Sequence, residues 1–163
     1  AAASRFGAAA RQWCARWGEP CGLELLLCVY LVAARAFPEE AFHAYARSLP
    51  EEAPGLDAWP TTYQEALQGT DLGAALIDAK AELQAWEATL RRLVEAEPAT
   101  FKPEVFHDGC LLWARGMWRS RRFPGAFAGQ AEAQEGCLVP LLDVMNHAPG
   151  ADITVRVRGE SLE

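Results

Sequence analysis

The spacing of apolar residues along this chain mostly follows the period of an α-helix. Residues 23–36 are almost entirely apolar, which predicts a buried helix. Residues 72–93 carry an apolar side chain at alternating steps of four and three positions, which places these side chains on one helical face. The positions are Leu72, Leu76, Ala79, Leu83, Trp86, Leu90 and Leu93. Such a stripe packs within its own domain or binds a partner helix, and the tryptophan in it favours the first alternative.

Shorter helices are predicted on both sides of this stripe. Their expected ranges are residues 38–48, 63–67 and 103–119. The expected inner face of the last helix recurs by four, three and four positions, at Phe106, Cys110, Trp113 and Met117. Thr70 or Asp71 is expected to cap the long helix, because a side-chain oxygen at this position accepts a hydrogen bond from a free backbone N–H.

Strand-like patterns occur only near the end of the chain. Residues 136–144 form an apolar run in which Pro140 indicates an edge strand or a bulge. Residues 153–158 alternate between apolar and polar side chains, as a half-exposed strand does. Two strands do not form a stable sheet alone. We therefore expect an α+β fold, mostly helical and ending in short β-strands of a sheet that further chain completes.

Composition and charge narrow the possible partners. The chain has 163 residues, 15 basic and 22 acidic, with a net charge of −7, so no nucleic-acid partner is expected. The apolar run over residues 23–37 is too short to cross a bilayer, so no membrane partner is expected. We also expect a monomer. Five cysteines without a Cys-x-x-Cys pair, beside only three histidines, indicate reduced intracellular thiols rather than a zinc site.

The first 18 residues contain Arg5, Arg11 and Arg16 and no acidic residue. This composition resembles an organelle transit segment, and an ordinary amphipathic helix is the alternative. The plastid, the cytoplasm and the nucleus all remain open as compartments.

The most informative stretch is "LVPLLDVMNHAPG", residues 138–150. An apolar run carries Asp143 and ends on Asn146 and His147 before a Pro-Gly turn. Asn146 is either a turn residue or, with backbone groups freed at the end of a strand, a ligand-binding residue. Asp143 needs a partner if it is buried, and Arg121 is a candidate.

Together with "LLWARGMWRSRRF" at residues 111–123, this stretch resembles the Rubisco large-subunit methyltransferase-like SET-domain proteins. The helical stretches from Leu23 onward resemble the helical insert of that family. The resemblance implies an N-terminal segment over residues 1–22, the insert over residues 23–122 and the start of the C-terminal SET segment over residues 123–163.

The resemblance implies a protein-lysine N-methyltransferase that uses S-adenosylmethionine and acts on a protein substrate. Ser120 and Arg121 would face the carboxylate of the cofactor, and Asp143 would shape the loop beneath it. Asn146 and His147 would hold its polar ends. A protein-histidine methyltransferase of the same family, or a non-catalytic helical interaction module derived from such an enzyme, are the alternatives.

Two features of the family pattern are missing from these residues. No Gly-x-Gly element precedes the helical stretches, and Tyr30, Tyr45 and Tyr63 all precede the Asn-His motif, whereas the catalytic tyrosine of the family follows it. We therefore expect a partial cofactor site and assign no catalytic residue, no general base and no metal ligand.

Overall fold

The structure, a computed structural model, describes residues 4–18, 22–125, 136–144, 150, 157–158 and 161–162. Helices dominate this part of the chain. In order they are α1 (Arg5–Trp17), α2 (Leu23–Ala36), α3 (His43–Ser48), α4 (Thr61–Glu65), α5 (Asp71–Ala96) and α6 (Cys110–Arg121). The chain divides into two compact units, Ala1–Ser120 and Arg121–Glu163.

Helix α1 has defined signals at both ends. The Ser4 hydroxyl accepts a hydrogen bond from the Gly7 N–H at 3.1 Å, which satisfies a free donor of the first turn. Gly18 ends the helix in the left-handed conformation, with a φ of 68° that favours glycine. The buried face of α1 consists of Phe6, Ala10, Trp13 and Cys14. These residues lie on one face of α1, and α1 packs on α2.

Helix α2 has the bounds that the sequence predicts, whereas α3 is shorter than predicted. Residues 38–42 form turns instead of helix, closed by bonds from the Glu40 N–H to the Phe37 carbonyl and from the His43 N–H to the Glu40 carbonyl. Each bond spans three residues, so the chain turns here without starting an α-helix. The predicted helix at 63–67 is found two residues earlier, as α4.

Helix α5 contains the predicted apolar stripe. Thr70 is its N-cap, and the Thr70 hydroxyl accepts from the Gly73 N–H at 3.0 Å. The buried stripe residues are Leu76, Leu83, Leu90 and Leu93. The prediction that the stripe packs within its own domain is confirmed at these positions. Leu72 is exposed, so the alternative that the stripe binds a partner stays a prediction there.

Helix α6 begins seven residues later than predicted, but its inner face is confirmed. Turns precede it, and Phe106 lies in one of them, bonded through its N–H to the Lys102 carbonyl. All four expected core residues, Phe106, Cys110, Trp113 and Met117, are buried. Almost every other side chain of α6 up to Trp118 is buried as well, so α6 is the central helix of the first unit.

The expectation of an α+β fold is wrong for the described residues, which are mostly helical and contain no sheet. Residues 136–144 hold one isolated bridge and a 3-10 turn over Leu142–Val144 rather than a strand. Pro140 has no N–H to donate, and Leu141 has a φ of 74°, which interrupts extended backbone. Val157–Arg158 pairs antiparallel with Ser161–Leu162, two residues on each side, which is too short a pairing to make the fold α+β.

Candidate functional site

Two of the candidate residues lie at the carboxyl end of α6. Ser120 is the last residue of the first unit, and its hydroxyl donates to the Met117 carbonyl at 3.3 Å, one turn back in the same helix. Arg121 is the last residue of α6 and the first of the second unit. A cation at this position is favourable, because the carbonyl groups at the carboxyl end of a helix carry partial negative charge.

Arg121 and Asp143 form an ion pair in the second unit. The Nη1 atom of Arg121 lies 3.2 Å from the Oδ2 atom of Asp143 and also donates to the Asp143 backbone carbonyl at 3.2 Å. The carboxylate of Asp143 has no solvent-exposed area, whereas Arg121 is partly exposed. The pairing that the burial of Asp143 required is therefore present.

A second contact closes the same segment. Phe123 and Cys137 exchange both backbone N–H to carbonyl bonds, at 2.8 and 2.9 Å. Gly136 beside them has a φ of 87°, and a Cβ atom there would lie 2.4 Å from the Phe123 carbonyl oxygen. Only glycine fits this position. The bridge and the ion pair thus bring residues 121–123 against residues 137–143.

The described residues therefore bring Arg121 together with Asp143. Asn146 and His147 lie outside the described residues. Ser120 makes its hydrogen bond within α6.

The arrangement fixes the orientation of the Arg121 side chain. Its guanidinium is oriented by a buried carboxylate and by a backbone carbonyl of the same residue. A guanidinium has five N–H donors, so one that is anchored on one side can still bind a ligand carboxylate on another. The Asp143 side chain is fully covered, and its carboxylate contacts Arg121.

Sequence reasoning missed a larger ionic cluster around Arg115 and Arg119 of α6. The Arg115 side chain is 1% exposed; its Nη1 donates to the Ala79 carbonyl at 2.6 Å, and its Nη2 to Glu82 at 3.1 Å. Arg119 bonds Glu24 at 2.7 Å and Glu82 at 2.9 Å. The signal was present: residues 110–118 are apolar on every side except at Arg115, and a helix of that kind is buried all round.

The two guanidinium groups respond to the cluster in opposite directions. Burial lowers the pKa of Arg115, and the charge of Arg119 lowers it further. Burial alone would also lower the pKa of Arg119, but the hydrogen bonds and charges of Glu24 and Glu82 outweigh burial and raise it. Both groups stay protonated at neutral pH.

Cys28 and Cys110 are buried thiols whose pKa values are raised. Burial raises the pKa of the Cys110 thiol to about 12, with a further rise from Glu87 and Asp108. Burial, followed by the charge of Glu24, raises the pKa of Cys28 as well. A thiol with a raised pKa is a poor nucleophile and a poor metal ligand. In the part of the chain that the structure describes, no group of three or more His, Cys, Asp and Glu could hold a metal ion.

Comparisons of this chain with protein families, with curated proteins and with solved structures give no match. No described helix combines the length and the hydrophobicity that a membrane span needs.

Proposed function

We propose that this chain carries part of the cofactor site of an S-adenosylmethionine-dependent protein-lysine N-methyltransferase. The observation that supports the proposal is the ion pair between Arg121 and Asp143, at 3.2 Å. It joins the two sequence stretches whose order and spacing resemble the methyltransferase family, across 22 residues of chain. Taken alone, the first stretch is explained as the basic end of a helix, and the second is explained as a turn.

The paired residues suit the amino-acid end of the cofactor. S-adenosylmethionine carries a carboxylate, and a guanidinium held in a fixed orientation is a good partner for one. The bond from Arg121 to the backbone of Asp143 also holds the chain three residues before Asn146, whose amide can accept from an ammonium group.

The chemistry of this reaction class does not require a protein nucleophile. When bound, the cofactor supplies a methyl group on a sulfonium that is displaced in line by a neutral amine. Protein residues then contribute alignment and a dry channel, which lowers the pKa of the target lysine by desolvation. The residues proposed here contribute only the alignment of the cofactor.

Isothermal titration calorimetry with S-adenosylmethionine tests the proposal. The variants are Arg121→Ala, Asp143→Asn and Asn146→Ala, and Arg122→Ala is the matched control, because Arg122 is an exposed neighbour of the same charge. We expect Arg121→Ala and Asn146→Ala to weaken binding by about tenfold or more, which is the loss of one charge-assisted hydrogen bond. Asp143→Asn should weaken it less, and Arg122→Ala by less than about twofold.

Circular dichroism of each variant establishes that it is folded before titration. A folded wild-type chain that does not bind the cofactor at about 1 mM, the limit of a weak specific site, would overturn the proposal. Equal losses in the Arg121 and Arg122 variants would also overturn it, because the effect would then be one of net charge alone.

A further inference from the structure

A groove of about 320 Å³ lies in the first unit, apart from the Arg121–Asp143 pair. It is bounded by residues 54–57, by the first turns of α5 and by the second half of α6. Its apolar walls are formed by Pro54, Leu56, Leu72, Leu76 and Ala79. Leu72 is 48% exposed although it belongs to the apolar stripe, so the stripe leaves the core at this groove.

Polar groups at one end of the groove have unused hydrogen-bonding capacity. Asp57 is 14% exposed, and its nearest cation is the Nη1 atom of Arg115, at 3.7 Å. That distance is too long for a hydrogen bond, and the Asp57 carboxylate accepts none within the part of the chain that the structure describes. The Nε–H of Arg115, in a side chain that is 1% exposed, likewise finds no acceptor among the described residues.

The charges around the groove determine which ligand it can accept. Two guanidinium groups, Arg115 and Arg119, face three carboxylates, Asp57, Glu82 and Glu24. The cluster therefore carries one excess negative charge. Glu82 and Glu24 are each bonded to a guanidinium at 3.1 Å or less, so Asp57 is the carboxylate with capacity to spare.

We propose that this groove binds a short apolar peptide segment of a partner protein that carries one basic side chain. Its lysine or arginine pairs with Asp57, and its apolar neighbours pack against Leu56, Leu72 and Leu76. The proposal does not rest on the proposed cofactor site, and it is tested independently of that site.

The sign of the charge argues against the other occupants. A nucleic acid or an anionic membrane would bring negative charge to a cluster that already has an excess of it. A second copy of the chain would bring the same negative cluster and the net charge of −7 with it. A basic segment is the partner that neutralises Asp57 and covers the exposed Leu72.

Fluorescence anisotropy tests the proposal with the full chain. The probe is a labelled hexapeptide library with one fixed lysine and leucine, valine or phenylalanine at the flanking positions. Matched libraries replace the lysine with norleucine or with glutamate. We expect the lysine library to bind with a Kd of about 100 µM, the norleucine library about tenfold more weakly, and the glutamate library not measurably.

Three variants locate the binding. Asp57→Asn keeps the shape of the side chain and should weaken binding of the lysine library about tenfold, to the level of norleucine. Ala75→Phe should abolish binding of every library, because Ala75 lines the groove and a ring there fills it. Asp78→Asn is the control, since Asp78 is exposed on α5 but does not line the groove, and it should change binding by less than about twofold.

Each contrary result overturns the proposal. Equal binding of the lysine and norleucine libraries would remove the role of Asp57, and equal losses in Asp57→Asn and Asp78→Asn would reduce it to net charge. Absence of binding by the folded chain at about 1 mM would remove the peptide site. A dimer in sedimentation velocity that Ala75→Phe dissociates would identify the occupant as a second copy instead. Because cofactor titration uses Arg121 variants, its outcome is independent of these.

Discussion

Replacing Arg115 with methionine should destabilise the fold far more than breaking an exposed ion pair of similar length. Methionine keeps most of the apolar stem of arginine but removes its donors and its charge. The donor loss leaves the Ala79 carbonyl without its 2.6 Å partner in a partly buried setting. It also leaves Asp57 without its nearest cation, whereas Glu82 is 43% exposed and retains Arg119.

The magnitude follows from the bonds to the Ala79 carbonyl and to Glu82. A hydrogen bond from a charged group to a carbonyl contributes about 1.5–3 kcal/mol. The pairing with the half-exposed Glu82 adds less than about 1 kcal/mol. The release of Arg115 from a desolvated position offsets part of the loss. We expect a net destabilisation of about 2–3 kcal/mol, which lowers the urea midpoint by about 1–2 M at a typical slope for a small domain.

Arg91→Met supplies the matched control. Arg91 lies 3.0 Å from Asp108, close to the 3.1 Å between Arg115 and Glu82, but both partners of the Arg91 pair are well exposed. We expect a loss of about 0.5 kcal/mol or less. Urea unfolding followed by circular dichroism measures both variants. Equal midpoints, or an Arg115 variant that is more stable than the wild type, would refute the reasoning that burial makes this arginine stabilising.

Three further predictions concern stability. Gly116→Ala should cost about 1–3 kcal/mol in urea unfolding, because the new Cβ would lie 2.4 Å from the Pro54 carbonyl oxygen. Thr70→Ala should lower the free energy of unfolding by about 1 kcal/mol through loss of its bond to the Gly73 N–H, while Thr70→Ser should not. Burial raises the Cys110 pKa from its ordinary 9.0 to about 12, so folded-state stability should fall as pH rises above 9, where the unfolded thiol ionises first. Compared with Cys110→Ala, the wild type should lose about 1 kcal/mol more between pH 8 and pH 10.

Elements with a strong helical period were predictable from the sequence, and elements shaped by local turns were not. Helices α2 and α5 bury their apolar positions along their length, so their patterns report burial directly. The starts of α3 and α6 were predicted too early, because residues before His43 and Cys110 form turns with three-residue and four-residue bonds that the apolar pattern does not distinguish from helix.

The predicted strand at 136–144 was wrong for a comparable reason. An apolar run of this length is compatible with a β-strand or with irregular structure, and periodicity alone does not separate the two. Here Pro140 and the positive φ of Leu141 break the extension, and the bond of Arg121 to the backbone of Asp143 fixes the turn. The last contact joins residues distant in sequence, which local patterns do not reveal.

The Arg121–Asp143 pair was predictable because a carboxylate buried in an apolar run needs a partner, and Arg121 was the candidate that the sequence offered. Arg115 followed the same logic in reverse but was missed, because the predicted inner face of this helix did not include it. Its partner Asp57 lies in a loop with three prolines, where no period exists to place a side chain.

The arginines near the end of α6 therefore differ in what they can bind, although they look alike in sequence. Arg115 and Arg119 are committed to carboxylates of the first unit, and Arg121 to Asp143 in the second. A ligand carboxylate binds weakly to a guanidinium whose solvent-exposed N–H groups already donate to protein carboxylates. It binds more tightly to a guanidinium that is partly exposed and whose protein partner is buried. Because Asp143 is fully covered while Arg121 is partly exposed, Arg121 meets the second condition. In the groove the arginines are bonded to carboxylates, and Asp57 is the carboxylate that accepts no hydrogen bond from the described residues. The ligand proposed for the groove is therefore a cation.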